Sequence, residues 1–289
     1  MENILFQGVC TALVTPFLGE QVNYPLAEVL VKRQIDAGIP AVVLAGTTGE
    51  SPTLEDDEKL ELFQRCKRYA GSDCKIICGT GSNATAHAIA FSQAAQEAGA
   101  DGLLIVSPYY NKATADGLVA HYMAIAHAVS LPIIVYNVPP RTGQDMPVSV
   151  YKRLSYIPNI IGVKEAADDA VKVARTLRET RQGFQVWSGN DSLAVPEIAL
   201  GAKGVISVVS NVLPRETIAM VDAALDGDFD TASHLQQRLQ PVMDALSAEV
   251  NPIPIKAAMG LAGYDCGPCR LPLTKAKAST VELLKEFIL

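Results

Sequence analysis

The sequence predicts an α/β protein, a closed (β/α)8 TIM barrel followed by a C-terminal helical subdomain. Short apolar runs of strand length alternate with longer stretches of helical period, at spacings of roughly 20 to 35 residues. The alternation occurs eight times, and eight such units match a closed barrel. A doubly wound open sheet is the alternative that this repeat leaves open.

The eight predicted strands are short apolar runs with β-branched content. They cover residues 9–15, 41–45, 75–78, 102–106, 133–136, 160–164, 184–187 and 204–208. Helices are predicted between them. One over residues 54–69 begins after Ser51-Pro52-Thr53, and one over residues 84–98 ends at Gly99.

The chain changes character after Pro214. Strand-like runs stop there, and helical stretches continue from about residue 228, interrupted at Asn251-Pro252 and at Gly267-Pro268. We therefore predict a barrel domain over residues 1–226 and a helical subdomain over residues 227–289.

Composition excludes several classes of protein. Hydrophobic residues make up 49% of the chain, yet no apolar run approaches the roughly 18 residues that cross a bilayer. The net charge of -7 is spread out, without a cluster of Lys and Arg among aromatics, so we expect no nucleic-acid partner. Six cysteines in 289 residues fit reduced, buried side chains better than a disulfide framework. Because Met1-Glu2-Asn3 lacks the basic region of a secretion signal, we expect a cytoplasmic protein.

Reactive residues gather at the carboxyl ends of the predicted strands. In a (β/α)8 barrel the loops at this face build the active site. The segments that end strands there are Gly46-Thr-Thr-Gly-Glu-Ser51, Ser107-Pro-Tyr-Tyr-Asn111, Tyr136-Asn-Val-Pro-Pro-Arg-Thr-Gly143, Lys164 and Ser188-Gly-Asn-Asp191.

Lys164 ends one of these apolar runs. Side chains alternate along a strand, so Gly162 and Lys164 face one side while Val163 and Glu165 face the other. Lysine in water is almost wholly protonated at neutral pH, whereas an apolar pocket favours the neutral amine that attacks carbonyl groups. The competing interpretation is a strand-end lysine with its ammonium in solvent.

Tyr136 ends the neighbouring predicted strand. Adjacent strands lie about 5 Å apart, so its phenol can reach the amine of Lys164. Imine formation requires a proton shuttle, because the carbinolamine oxygen must gain a proton to leave as water. Tyr136, with Thr47 and a second tyrosine, can pass that proton. The alternative is an aromatic that caps the barrel core.

Three glycine- or cysteine-containing motifs have spacings that occur in known binding or redox sites. Gly46-Thr-Thr-Gly49 offers backbone N–H groups and two hydroxyls at a strand-to-helix turn, which suits a small carboxylate. Gly79-Thr-Gly-Ser-Asn-Ala84 partly matches a dinucleotide fingerprint, but no acidic residue ends the next predicted strand. Cys266-Gly-Pro-Cys269 has oxidoreductase spacing, but Arg270-Leu-Pro272 follows it in place of a helix. We therefore expect neither nucleotide binding nor redox or metal chemistry.

Six segments together resemble the dihydrodipicolinate synthase family over nearly the whole chain. They are Gly46-Thr-Thr-Gly-Glu-Ser51, Ser107-Pro-Tyr-Tyr-Asn111, Tyr136-Asn-Val-Pro-Pro-Arg141, Gly162-Val-Lys-Glu165, Gly204-Val-Ile-Ser207 and Asn251-Pro-Ile-Pro-Ile-Lys256. The resemblance implies a class I aldolase-type barrel that condenses pyruvate with aspartate semialdehyde in lysine and diaminopimelate biosynthesis. It also implies that the reaction uses no metal and no organic cofactor.

The resemblance further implies a role for each matching residue. Lys164 would form the Schiff base, Tyr136 would act as general acid and base, and Thr47 would relay protons. Tyr110 would complete the relay from a neighbouring subunit of a homotetramer. The implied substrate-binding positions are Thr48, which would hold the pyruvate carboxylate, Gly189 and Ile206.

Imine chemistry alone leaves the substrate open. Related barrels cleave N-acetylneuraminate or keto-deoxy sugar acids with the same lysine and tyrosine. Arg141 favours a small acid, because a guanidinium suits bidentate capture of a carboxylate, whereas a polyhydroxylated sugar needs more neutral polar groups. A catalytically silent barrel that only binds a ligand is a further hypothesis. The joint presence of Lys164, Tyr136, Thr47 and Tyr110 argues against it.

Many members of this family are inhibited by lysine at a cleft between subunits. The matching positions here are Ser51, Asp56, Lys59, Asn83, His87 and Tyr109. In the lysine-sensitive pattern the positions of Asp56 and Lys59 carry histidines, and that of His87 carries a glutamate that receives the effector's ammonium. Lys59 adds a like charge and His87 removes a carboxylate, so we expect weak or absent inhibition. The alternative is that Asp56 and Lys59 simply form a surface ion pair.

Overall fold

Apolar segments form a closed parallel barrel in the computed structural model, which describes residues 4–288. The strands are β1 (Gly8–Ala12), β2 (Phe17–Leu18), β3 (Gln21–Val22), β4 (Ala41–Leu44), β5 (Lys75–Gly79), β6 (Gly102–Val106), β7 (Ile133–Asn137), β8 (Ile160–Glu165), β9 (Gln185–Ser188) and β10 (Gly204–Ser207). β2 and β3 form a separate antiparallel hairpin. The other eight strands form the barrel, which closes because β1 pairs with both β4 and β10.

Helices follow the barrel strands and continue to the end of the described chain. They are α1 (Tyr24–Ala37), α2 (Asp56–Ala70), α3 (Thr85–Glu97), α4 (Ala115–Ala128), α5 (Pro139–Thr142), α6 (Val148–Leu154), α7 (Ala170–Glu179), α8 (Ala194–Ala199), α9 (Pro214–Leu225), α10 (Phe229–Leu246), α11 (Ile253–Leu261) and α12 (Ala278–Ile288). Single 3-10 turns cover Ser51–Thr53, Asp191–Leu193 and Val209–Asn211.

Local sequence signals explain several helix ends. Asn23 caps α1 by accepting a hydrogen bond from the N–H of Leu26, and Gly38 ends that helix with a φ of 94°. Thr114 and Asp228 cap α4 and α10 in the same way as Asn23 caps α1.

The structure confirms the closed barrel and rules out the open sheet. Its main correction to the prediction is at β1, which ends at Ala12, whereas the sequence predicted a strand to residue 15. The N–H of Val14 donates to the side chain of Asn211, and the hydroxyl of Thr15 donates to the carbonyl of Gly49. These contacts turn the chain into the hairpin, which the sequence analysis did not predict.

The core consists of two layers. Small and aliphatic side chains from the barrel strands fill the interior, where Phe6 stacks on Trp187 with ring centroids 4.9 Å apart. A larger cluster lies between the outer faces of the strands and the surrounding helices. This two-sided burial explains why the strands read as continuous apolar runs.

The C-terminal helices pack against one another and against the barrel helices. α10 contacts α8 and α9, and α12 contacts α10 and α11. The division of the chain after residue 226 remains a prediction. None of the helices between residues 4 and 288 has the length and apolar character that crossing a membrane requires. Met1, Glu2 and Asn3, on which the expectation of no secretion signal rests, lie outside the described residues.

Candidate active site

β8 directs Lys164 into the barrel. Val163, one residue earlier, is part of the outer core cluster, as expected from the alternation of side chains along a strand. Glu165 faces the same outer side, where its carboxylate accepts hydrogen bonds from Asn137 (2.6 Å) and from the hydroxyl of Tyr151 (2.8 Å). Because Glu165 is anchored on the outer face of β8, Lys164 is held on the opposite face, toward the barrel interior.

Lys164 and Tyr136 meet at the carboxyl end of the barrel. They are register partners on the adjacent strands β8 and β7. The Nζ atom of Lys164 lies 4.5 Å from the centroid of the Tyr136 ring. The two residues are 5% and 6% exposed, so the alternative of a strand-end lysine with its ammonium in solvent is wrong.

Two glycines leave room for these side chains. A β-carbon on Gly189 would lie 2.6 Å from Cβ of Ala166 and 3.1 Å from Cε of Lys164. A β-carbon on Gly162 would lie 2.8 Å from the indole of Trp187. The β-carbon on Gly162 would also lie 2.3 Å from the backbone oxygen of Gln185, so side chains at these two positions would collide with the neighbouring strand, Trp187 or Lys164.

A cavity of about 560 Å³ opens above Lys164. Of the residues predicted to form the site, it brings together Lys164, Tyr136, Thr47, Thr48, Arg141 and Gly189. Two predicted residues are not among those that line this cavity. Ile206 is 1% exposed within the barrel interior, and Val208 and Val209 line the cavity from that part of the chain instead. Tyr110 is 92% exposed at the surface.

The loop after β4 carries Thr47 and Thr48 on an irregular backbone. Ala45 and Glu50 on either side have φ values of 49° and 55°, in the left-handed region that side chains other than glycine rarely adopt. Such residues cost about 1–3 kcal/mol each and persist where the surroundings over-determine them. Glu50 is anchored by an ion pair with Lys256.

Asn251 is a site residue to which the sequence analysis assigned no role. Its side-chain amide donates to Oγ1 of Thr48 at 3.0 Å, and its backbone carbonyl accepts a hydrogen bond from Arg141 at 2.9 Å. Arg141 is thus exposed, but the hydrogen bond to Asn251 holds it at the cavity. The only sequence signal was the presence of Asn251 in one of the six segments that carried the resemblance.

Asp191 lies in the cavity wall at the end of β9. Its Oδ2 accepts hydrogen bonds from the backbone N–H groups of Val208 (2.8 Å) and Val209 (3.3 Å). Burial raises the pKa of Asp191, although these donors and the nearby charge of Lys164 act in the opposite direction. Asp191 thereby ties the loop after β9 to the loop after β10.

A second cavity, of about 320 Å³, adjoins the first at Thr47, Tyr136 and Arg141. Four residues of the predicted lysine site line it: Ser51, Lys59, His87 and Tyr109. The other two lie beside it. The carboxylate of Asp56 contacts Nε2 of His87 at 2.7 Å and Nζ of Lys59 at 3.4 Å, and the carbonyl of Asn83 accepts a hydrogen bond from Asn111.

The carboxylate of Asp56 is already engaged by its neighbours. Burial raises its pKa, but the hydrogen bond from His87 and the charge of Lys59 outweigh this effect, so the pKa of Asp56 is lowered. Asp56 and Lys59 form the predicted pair three residues apart, with the Lys59 side chain only 11% exposed.

The structure explains the glycine-rich motif at residues 79–84 and the cysteine pair at residues 266–269 without nucleotide or redox chemistry. A β-carbon on Gly81 would lie 2.5 Å from the backbone nitrogen of Val106, so the glycine allows close approach of neighbouring segments. Cys266 and Cys269 are free thiols, and burial raises their pKa values to about 12 and about 11. Raised pKa values oppose thiolate formation and therefore redox or metal chemistry.

The arrangement combines an amine, a phenol and a set of groups that suit carboxylates. The side chain of Lys164 can add to a carbonyl carbon that enters the cavity, and the adjacent hydroxyl of Tyr136 can transfer protons. Thr47, Thr48 and Arg141 surround the same space. The site is therefore suited to imine chemistry on a small keto acid.

Comparison with known proteins agrees with this geometry. The sequence matches the Dihydrodipicolinate synthetase family over residues 5–288. It is 44% identical to 4-hydroxy-tetrahydrodipicolinate synthase of Kosmotoga olearia over 98% of this chain and 97% of the relative. The structure is similar to dihydrodipicolinate synthase from Aquifex aeolicus, with a TM-score of 0.95, 41% identity and coverage of 97% and 96% of the two chains. It is equally similar to the enzyme from Cyanidioschyzon merolae with lysine bound, with a TM-score of 0.95, 41% identity and coverage of 98% and 97%. The chain therefore belongs to the dihydrodipicolinate synthetase family.

Proposed function

We propose that the protein is a 4-hydroxy-tetrahydrodipicolinate synthase, a lyase that condenses pyruvate with L-aspartate 4-semialdehyde in lysine and diaminopimelate biosynthesis. The observation that carries this proposal is the register pairing of Tyr136 with Lys164 in a cavity shared with Thr47, Thr48 and Arg141. The reaction is proposed to need no metal or organic cofactor, because the imine itself activates pyruvate.

Lys164 begins the reaction as a nucleophile. Its neutral amine adds to the keto carbon of pyruvate, and the resulting carbinolamine loses its oxygen as water to give an imine. Tyr136 supplies the proton for the departing water and receives protons at the other steps, with Thr47 as relay. Loss of a methyl proton then converts the imine into an enamine.

The enamine carbon forms the new carbon–carbon bond. It attacks the aldehyde carbon of aspartate semialdehyde, whose oxygen takes up a proton and becomes a hydroxyl group. The amino group of the second substrate then attacks the imine carbon and displaces the amine of Lys164. This step closes the ring. The overall reaction releases one water, the one lost when the imine formed.

Specificity for small acids is assigned to Thr48 and Arg141. The hydroxyl of Thr48, held by Asn251, is proposed to bind the carboxylate of pyruvate. The guanidinium of Arg141, held by the Asn251 carbonyl, is proposed to bind the carboxylate of the aldehyde substrate. A polyhydroxylated sugar acid would find a guanidinium where it needs neutral hydrogen-bonding groups.

Parallel assays distinguish this function from the alternatives. The purified protein is given pyruvate with aspartate semialdehyde, and separately N-acetylneuraminate and keto-deoxygluconate. We expect condensation of the first pair and no comparable cleavage of the sugar acids. Borohydride reduction with pyruvate should add one three-carbon adduct to the peptide that holds Lys164. Faster cleavage of a sugar acid would identify a related aldolase, and absence of any adduct would identify a silent binding barrel.

The active assembly is proposed to be a homotetramer in which Tyr110 enters the site of a neighbouring subunit. Tyr110 is 92% exposed, and its φ of 69° holds an aromatic side chain in an unfavourable backbone conformation. Such an exposed, strained tyrosine is consistent with a contact that a partner subunit completes. We place the protein in the cytoplasm, because its six cysteines are free thiols.

The second cavity is proposed to be a degenerate lysine site. An effector ammonium entering it would meet Lys59 and His87, while both oxygens of Asp56 are engaged by these same side chains. Inhibition by lysine is therefore expected to be weak or absent, in contrast to relatives that bind lysine.

A further inference from the structure

Glu50 and Lys256 form an ion pair where the barrel meets the C-terminal helices. Nζ of Lys256 lies 2.8 Å from Oε1 of Glu50, and the two side chains are 3% and 1% exposed. Glu50 belongs to the loop after β4, and Lys256 belongs to α11. The pair therefore joins the loop that carries Thr47 and Thr48 to the C-terminal part of the chain.

Both charged groups have further partners. The ammonium of Lys256 also donates to the carbonyl of Pro268 at 3.1 Å and lies 4.2 Å from the centroid of the Phe17 ring. The second carboxylate oxygen of Glu50 accepts a hydrogen bond from the N–H of Arg270 at 2.9 Å. A buried ion pair with its hydrogen bonds satisfied has a strongly preferred geometry, so the side chain of Glu50 is fixed.

The Glu50 side chain holds a strained turn in the loop after β4. Glu50 has a φ of 55°, and its N–H donates to the carbonyl of Thr47 at 3.1 Å. The N–H of Ser51 donates to the carbonyl of Gly46 at 3.2 Å. A change in the conformation of Glu50 would break this turn and move Thr47 and Thr48 with it.

Among the described residues, neither Glu50 nor Lys256 lines the cavity that holds Lys164. We propose that Lys256 is a positioning residue: by holding Glu50, its ammonium keeps Thr47 and Thr48 in the orientation that receives the carboxylate of pyruvate. This inference rests on the proposed function. It means that a residue of the C-terminal helices determines how well the barrel binds its keto acid.

Lys256→Met is the direct test. The variant should need about tenfold more pyruvate than the wild type for half-maximal borohydride trapping, which corresponds to about 1.4 kcal/mol of binding. At saturating pyruvate the adduct should still form on Lys164. Lys256→Arg, which keeps the charge, should recover much of the pyruvate affinity. Normal pyruvate affinity in folded Lys256→Met protein would overturn the proposal.

Lys67→Met is the matched control. Nζ of Lys67 lies 2.7 Å from Asp101, the residue immediately before β6, so this pair is at the opposite end of the barrel. The control should lower thermal stability without changing pyruvate affinity. An equal loss of affinity in Lys67→Met would show that general destabilisation accounts for the effect, and the proposal would be wrong.

A double variant keeps the test decisive if Lys256→Met does not fold. Glu50→Gln with Lys256→Met removes both charges, so no lone charge remains buried. We expect this protein to fold and still to bind pyruvate about tenfold more weakly than the wild type. Wild-type affinity in the double variant would overturn the proposal.

Hydrogen exchange in the absence of substrate separates this inference from the proposed function. The backbone amides of residues 47–51 should exchange faster in Lys256→Met than in the wild type and in Lys67→Met. Unchanged exchange would contradict the positioning role whatever reaction the protein catalyses. Conversely, failure of the wild-type protein to trap pyruvate would overturn the proposed function. The exchange rates of residues 47–51 would then still show whether Lys256 holds this loop.

Discussion

Lys164 and Tyr136 occupy the same register position on neighbouring strands, and the amine nitrogen of one lies 4.5 Å from the ring centroid of the other. Both side chains are therefore carried by the rigid barrel and not by mobile loops. A proton donor built into the strand next to the nucleophile needs no conformational change to act.

Replacement of Tyr136 by Phe should slow condensation by about 100- to 10,000-fold, because it removes the proton transfer and keeps the ring. Steady-state rates and borohydride trapping on Lys164 measure the effect, and trapping should be slow but detectable. Lys164→Arg should abolish both, since a guanidinium stays protonated. Tyr122→Phe is the control, because that buried hydroxyl donates to the carbonyl of Ile105 outside the site. Full activity of Tyr136→Phe would contradict the proposed role.

Mixed oligomers test the contribution of Tyr110 across a subunit interface. Tyr110→Phe and Lys164→Ala chains, each inactive alone, should recover part of the activity after subunit exchange. Recovery is expected because an intact Lys164 can then meet an intact Tyr110 from its neighbour. A mixture of Tyr136→Phe and Lys164→Ala should not recover, since both residues belong to one chain's site. If verified hybrids of the first pair stay inactive, Tyr110 does not act across the interface.

Titration with lysine tests the second cavity. We expect half-inhibition of condensation only above about 1 mM lysine, an affinity weaker than about -4 kcal/mol. The missing carboxylate at His87 alone accounts for roughly 1.5 to 3 kcal/mol of binding. A triple variant, Asp56→His, Lys59→His and His87→Glu, should gain sensitivity of about tenfold or more. Half-inhibition of the wild type at lower lysine would mean that the cavity is a functional lysine site.

The buried imidazole of His121 should make the protein less stable in acid. Its Nδ1 is hydrogen-bonded with the hydroxyl of Thr85 at 2.9 Å, and burial lowers its pKa to about 4. A lowered pKa means that the folded state binds this proton less readily than the unfolded state, so stability falls as the pH drops below about 6.5. From about pH 8 to about pH 5 the loss attributable to His121 is about 2 kcal/mol.

Urea unfolding at a series of pH values measures this contribution. His121→Gln should show a shallower decline in the free energy of unfolding than the wild type. His234→Gln, at an exposed position, is the control for replacing a histidine by glutamine. Equal declines in the wild type and His121→Gln would show that His121 does not titrate with the expected shift.

The barrel was predictable because its strands are buried on both faces and its βα units repeat. The alternation of side chains along a strand predicts that Lys164 and Glu165 face opposite sides, as they do in the structure. The hairpin formed by β2 and β3 was missed, because two-residue strands carry no periodic signal.

The contacts across the C-terminal helices could not be predicted in the same way. Asn251 reaches Thr48 across 203 residues, and Lys256 reaches Glu50 across 206. No local pattern reports such pairs, because hydrogen-bonding side chains occur throughout the chain and only the folded geometry selects partners. Ile206 packs in the barrel interior in the same cluster as Tyr136, and its place beside the substrate stays a prediction.

The stacked rings of Phe6 and Trp187 belong to the same interior cluster as the ring of Tyr136. A β-carbon on Gly162 would meet the backbone oxygen of Gln185 at 2.3 Å and this indole at 2.8 Å, so enlarging the cavity toward the barrel interior would require the core to be rebuilt. A longer keto acid could be accommodated only by changing the loops at the open end of the cavity. In this scaffold, new substrate ranges should therefore arise in the loops around Thr48, Arg141 and Asn251, while the base of the barrel stays constant.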